Sequence, residues 1–149
     1  MRHTFKLTIA ASVVLSGTLL STAQSACVND YAVRTIAGEF NRSVYVVLAT
    51  AISHTRVPES SDQYFLAGQN TTIRITTLFK GPTEKVLTVF SEYSSGQFPL
   101  NLNQSYLLFI YREHGRLSVD NCGHSGPTKF SGKIISAVRV LSAHAAQRH

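Results

Sequence analysis

Three side chains near the C-terminal third of the chain have the types of a hydrolytic triad: Asp120, His124 and Ser125, within six positions of one another in "DNCGHS". A carboxylate, an imidazole and a hydroxyl can form an oriented nucleophile, but the roles are spatial, and the members ordinarily come from different elements. Neighbours on one loop do not meet that requirement, and no G-x-S-x-G elbow exposes a serine nucleophile. The stretch therefore reads as a polar loop around Cys122, and no residue is assigned a catalytic role. His54, His114, His144 and His149 are too dispersed for a zinc signature, so neither a metal site nor a cofactor is expected.

Cys27 and Cys122 are the only cysteines. Their chemistry depends on the compartment. Arg2 and Lys6 precede an uncharged run, Leu7 to Leu20, and small residues follow, the layout of a secretory signal peptide. The run's 14 positions fall short of the ~20 of a spanning helix, so no membrane span is expected. Residues 1–25 are assigned to the signal and 26–149 to one domain, secreted or periplasmic. Cleavage after Ser25 or after Ala23 would place small residues at the required positions. Lipidation of Cys27 competes, although Gln24 stands where an aliphatic residue is wanted. Export carries both cysteines into an oxidising compartment, where one Cys27–Cys122 disulfide is the default and two free thiols the alternative.

Without Arg2 and Lys6 the 14 basic residues fall to 12, against 8 acidic ones, about +4 with histidines neutral. These charges are scattered, and no basic stripe suits a phosphate backbone, which makes nucleic acid an unlikely partner. Asn41, Asn70 and Asn103 begin formal glycosylation sequons, read as chance matches.

The elements that would position these residues follow from periodicity. Asp30 is expected to cap a short helix with Val33, Ile36, Ala37 and Phe40 on one face. "VYVVLATAI", residues 44–52, is apolar on both alternating faces and predicts a strand buried on two sides. "SHTRVPESSDQ", with Pro58, reads as a loop. From Thr72, Ile73, Ile75, Thr77 and Phe79 are expected to face inward, with Arg74 and Lys80 toward water. "KVLTVFSE" (85–92), "SYLLFIYR" (105–112) and "RLSVD" (116–120) supply three more strands, the last two joined by a tight His114-Gly115 turn, with Leu117 and Val119 inward. A final amphipathic helix buries Ile134, Ile135, Val138 and Leu141. Tyr64, Phe65, Tyr93 and Phe98 lie outside the strongest runs, as a binding surface or as plugs. The fold class is mainly β: a five-stranded antiparallel OB-type barrel between a short N-terminal helix and a C-terminal one, closure removing its edges.

The order of "VYVVLATAI", "LFKG", "SSGQFPLNLNQSYLLFIY" and "LSVDNCGHSGP" resembles the netrin-like domain shared by tissue inhibitors of metalloproteinases and bacterial relatives. The resemblance implies a five-stranded OB-type barrel. It also implies that Cys27 holds the second place of the inhibitors' Cys-x-Cys opening and Cys122 the place of its disulfide partner. The first cysteine's place falls on Ser25 and its partner's on Ser95. Because the inhibitors chelate the protease zinc through the amino group and carbonyl of that first cysteine, the paired replacement argues against inhibition. What the resemblance implies instead is a non-catalytic domain that binds a protein partner through Ser25, Ala26, Cys27, Val28, Asn29 and His124. A metalloprotease is one such partner; an OB-type binder of oligosaccharide or single-stranded nucleic acid, using Arg74 and Lys80, is the reading from another class.

Overall fold

The computed structural model describes residues 34–59, 62–94 and 96–147. The segment expected to be a signal, Ser25, Ala26, Cys27, Val28, Asn29, Asp30, Val33, Ser95 and His149 lie outside them, and with Cys27 so does its pairing.

Helix α1 spans Ile36–Arg42. Thr35, not Asp30, is its N-cap: the Thr35 hydroxyl accepts from the Gly38 N–H at 3.0 Å, satisfying one of the donors a helix start leaves open. The buried stripe is accordingly Ile36, Glu39 and Phe40, and Ala37 is exposed rather than inward.

One antiparallel sheet follows: β1 Tyr45–Glu59, β2 Asp62–Lys80, β3 Val86–Glu92, β4 Ser105–Glu113, β5 Arg116–Val119, and a two-residue β6, Gly126–Pro127. The ladder order is β3-β2-β1-β4-β5, with β6 also on β4. It has two ends and no pairing between β3 and β5, so the sheet is open in hydrogen-bonding terms. Those edge strands nevertheless lie against each other, which means the sheet is strongly curled. The Arg116 guanidinium bridges them, 4.4 Å from the centroid of the Phe90 ring.

The stretch expected as a loop after Ile52 is strand. Residues 53–59 continue β1 and pair with β2 from Thr72 back to Asp62. This arm projects past the end of β4, whose pairing with β1 stops at Thr50 and Ser105, and its Ser53, His54, Thr55 and Arg56 are polar and exposed. β3 joins it beyond β2, pairing from Gly68 to Arg74, and cross-strand hydrogen bonds hold Ser53 to Arg56 in a strand that their polarity does not reveal. Pro58, which has no N–H to give, sits where the register shifts.

Alternation on β1 and β4 divides the interior in two. Val47, Ala49, Ala51, Tyr106, Leu108 and Ile110 face the inside of the curl, where Ile73, Val89, Phe98 and Leu100 meet them. Val46, Leu107 and Phe109 face the other way, under Phe40 of α1 and Val138 of α2, Gly132–Ala146. The expected stripe of α2, Ile134, Ile135, Val138 and Leu141, covers this second core. Each fully buried side chain of this size stabilises the fold by roughly 1.5–3 kcal/mol before entropy is charged against it.

The inward pattern of β2 holds at Ile73 and Ile75 and then changes. Val46 pairs with Lys80 and Val47 with Leu78, so Phe79 is an extra residue on β2. A second bulge causes the reversal: Ala49 pairs with Ile75 and Leu48 with Thr77, so Thr76 is also an extra residue, and that insertion leaves Thr77 exposed and turns Leu78 to the inner core and Phe79 to the helices. The His114-Gly115 turn is as expected, both residues having positive φ (48° and 79°), and Leu117 and Val119 join the inner core.

Candidate functional site

The segment between Val119 and Gly126 leaves the β4 ladder and returns to it. At the gap, the Phe109 N–H has no strand opposite and donates instead to the Ser125 hydroxyl at 2.9 Å. Ser125 thus completes a sheet ladder. Asp120, at the other end of the excursion, accepts from the Cys122 N–H at 2.8 Å and forms an ion pair with Arg34, just before α1. His124 turns toward α1. The three side chains of the apparent triad therefore have three different partners and do not converge on a nucleophile.

What His124 meets is a residue absent from the sequence-based candidates. Glu39 is completely buried. Its carboxylate accepts the His124 N–H, at 2.9 Å to Oε2 and 3.2 Å to Oε1, and lies 2.5 Å from His124 Nδ1. The Tyr111 hydroxyl donates to Oε1 at 2.9 Å. A buried carboxylate is tolerable only when its oxygens are supplied with donors, and here backbone, imidazole and phenol supply them. Burial, and then the charge of Glu39, push the Tyr111 phenol well above its ordinary range. Gly123 makes the approach feasible: a Cβ there would lie 2.0 Å from Glu39 Oε1.

The signal for Glu39 was present in spacing. It stands three residues after Ile36 and beside Phe40, so an acid falls within the apolar stripe of α1. Periodicity marks it as anomalous, but only the fold shows that Tyr111 and His124, 72 and 85 positions away, receive it.

With Nδ1 directed at the carboxylate, the imidazole is held in one orientation and its Nε2 is the nitrogen left for another group. The side chain is 30% exposed. It can present a ring nitrogen for hydrogen bonding at the surface, but no nucleophile is supplied within its own loop. Among the described residues no group of three or more His, Cys, Asp and Glu side chains is arranged to hold a metal ion, and no helix is long and apolar enough to cross a membrane.

The other site residues proposed from sequence are dispersed. Lys80 does not face water freely: its ammonium donates to the carbonyls of Phe40 and Asn41, at 2.8 and 2.7 Å, closing the C-terminus of α1. Its desolvation lowers the pKa. The "LFKG" stretch is thereby explained as a strand end that caps a helix, with Gly81 at φ 114° packed on Val44 and Tyr45. Arg74 is exposed on β2. Phe98 is a plug, buried edge-on against Tyr106 at 5.9 Å, whereas Tyr93 is exposed; the side chains of Tyr64 and Phe65 lie outside the described ones.

A cleft of about 640 Å³ follows the β3–β5 seam, with Phe90, Glu92, Gln97, Glu113, Arg116 and Asp120 among its walls. It reaches the His124 loop only at Asp120. No protein-family model matches this chain, and no curated protein matches it.

Proposed function

We propose that the protein is an exported, non-catalytic netrin-like domain that binds a protein partner. The surface is the segment Ser25 to Asn29 together with the His124 loop, and one disulfide joins Cys27 to Cys122. The observation that carries this reading is the double tie of that loop to the start of α1, by Glu39 to His124 and by Asp120 to Arg34. It holds an otherwise irregular loop rigidly beside the point where the chain enters the described fold, and loops fixed on a rigid scaffold are where binding usually resides. Rigidity matters because a preordered loop gives up little entropy on association. The divergence of Asp120, His124 and Ser125 favours binding over hydrolysis. The engagement of Lys80 by α1 favours a protein over nucleic acid, since it removes one of the two cations that reading needed. An OB-type barrel is supported by the curl of the sheet and the Arg116–Phe90 contact between its edge strands.

A photoreactive residue introduced at Asn29 of the exported protein, with the same group at exposed Lys85 as control, tests the placement. Covalent adducts with a protein are expected from Asn29 and not from Lys85. Equal labelling at both, or none at Asn29, would remove the N-terminal segment from the binding surface.

A further inference from the structure

A second groove, of about 440 Å³, lies between the 97–104 connection and the segment following the His124 loop. Its floor is the Phe98–Tyr106 ring pair. Pro99, Pro127 and Phe130 make its apolar walls, and Phe130 is 77% exposed, the most exposed large apolar side chain described. The polar part of the lining consists chiefly of amides, Asn101, Gln104 and Asn121, with Lys129 as the one charged side chain and no carboxylate.

These amides are partly set in place. Gln104 Oε1 accepts from both the Tyr106 hydroxyl, at 3.0 Å, and Asn101 Nδ2, at 3.3 Å, while the Tyr106 oxygen accepts the Asn101 N–H at 2.8 Å. With its oxygen engaged twice, the Gln104 amide has its Nε2 donors to offer elsewhere. Lys129 Nζ lies 4.7 Å from the Phe130 centroid, which places a cation on one face of an open ring.

We propose that this groove binds an acidic saccharide, a sugar unit bearing a carboxylate. Sugar rings have C–H faces that stack on an exposed aromatic and hydroxyls that both donate and accept, which is what planar amides match. A pocket of this size with apolar walls and a few oriented polar groups is the ordinary form of a small-ligand site. The lone cation without an opposing acid selects a carboxylate on the ligand. Strand addition by a peptide is blocked here, because β6 already pairs with Tyr106 and Leu107 on the β4 edge. A nucleic-acid strand is disfavoured for another reason: one lysine cannot track a phosphate backbone. The site uses no residue before Phe98 and shares only Asn121 and Ser125 with the loop of the protein-binding surface proposed above.

The test is titration of the 15N-labelled exported protein with a galacturonate trimer and, separately, with the neutral galactose trimer. The expected result is saturable shifts at Gln104, Asn121, Lys129 and Phe130 with the acidic trimer and weaker binding of the neutral one. Phe130→Ala, at an exposed position, is expected to weaken the acidic trimer by roughly tenfold, and Lys129→Gln by roughly fivefold while leaving the neutral trimer unchanged. Absence of shifts with either trimer overturns the proposal. So do shifts confined to other residues, or equal binding of both trimers that Lys129→Gln does not alter. Preservation of the amide spectrum in both variants separates lost binding from lost folding.

Discussion

Replacing Glu39 by alanine tests whether its carboxylate is the clasp that holds the His124 loop. The side chain is wholly buried and receives three donors: the His124 N–H, His124 Nδ1–H and the Tyr111 hydroxyl. Removing a buried acceptor costs roughly 1–3 kcal/mol for each donor it leaves unsatisfied. The lower end applies, because the partly exposed imidazole regains water and Tyr111 is only half-buried, so about 3 kcal/mol is expected. For a domain of this length that is a fall in Tm of about 10 °C. Glu39→Gln keeps the volume and one acceptor oxygen but turns an amide N–H₂ toward a donor, and should cost less than alanine. The assay is urea unfolding under non-reducing conditions, combined with amide hydrogen exchange. Exchange should rise first at His124 and its neighbours in 120–125, while the amides of β1 and β4 keep their protection. A Glu39→Ala protein within about 0.5 kcal/mol of the parent, the ordinary range for surface changes, and with unchanged protection at His124 would refute the clasp.

Gly123→Ala should reproduce much of that loss, since its Cβ would meet Glu39 Oε1 at 2.0 Å. In a Glu39→Ala background it should cost far less, and a double-mutant cycle by urea unfolding measures the difference. Tyr111, whose phenol is raised above its ordinary value of 10.0 in the folded state, contributes stability that is present below that pH and lost as pH rises above it. Absorbance at 295 nm should show a tyrosine that ionises late and is missing from Tyr111→Phe, and unfolding midpoints should fall less steeply above pH 10 in that variant. Reduction of the exported protein should add two hydrogens to its intact mass. It should also cost on the order of 4 kcal/mol of stability on the chain-entropy account of a loop from Cys27 to Cys122; an unchanged mass would mean free thiols, and a lipid-sized addition would mean an anchor.

Much of the fold was legible because burial imposes period. Val46, Val47 and Ala49 on β1 and Tyr106 to Ile110 on β4 have cores on both sides, so unbroken apolar runs announced them. The stripe of α2 and the His114-Gly115 turn were equally local. The arm beyond Ile52 was missed because Ser53 to Arg56 are polar and exposed, and the backbone pairing with β2 that holds them in a strand leaves no trace in side-chain polarity. The reversed faces of Leu78 and Phe79 were missed because a bulge is a property of two strands in register, not of one.

The candidate site divides the same way. Residue types along the chain determined that the loop around Cys122 carries polar and chargeable groups, and that an acid interrupts the apolar face of α1. Only the tertiary structure decided that these are one feature. Hydrogen bonds are short and directional, so which carboxylate receives which donor depends on elements brought together across the second core. Sequence alone leaves Asp120, His124 and Ser125 as a tempting cluster. The fold assigns Ser125 to a sheet ladder, Asp120 to Arg34 and His124 to Glu39, because each buried donor and acceptor must find a partner within about 3 Å of where packing leaves it.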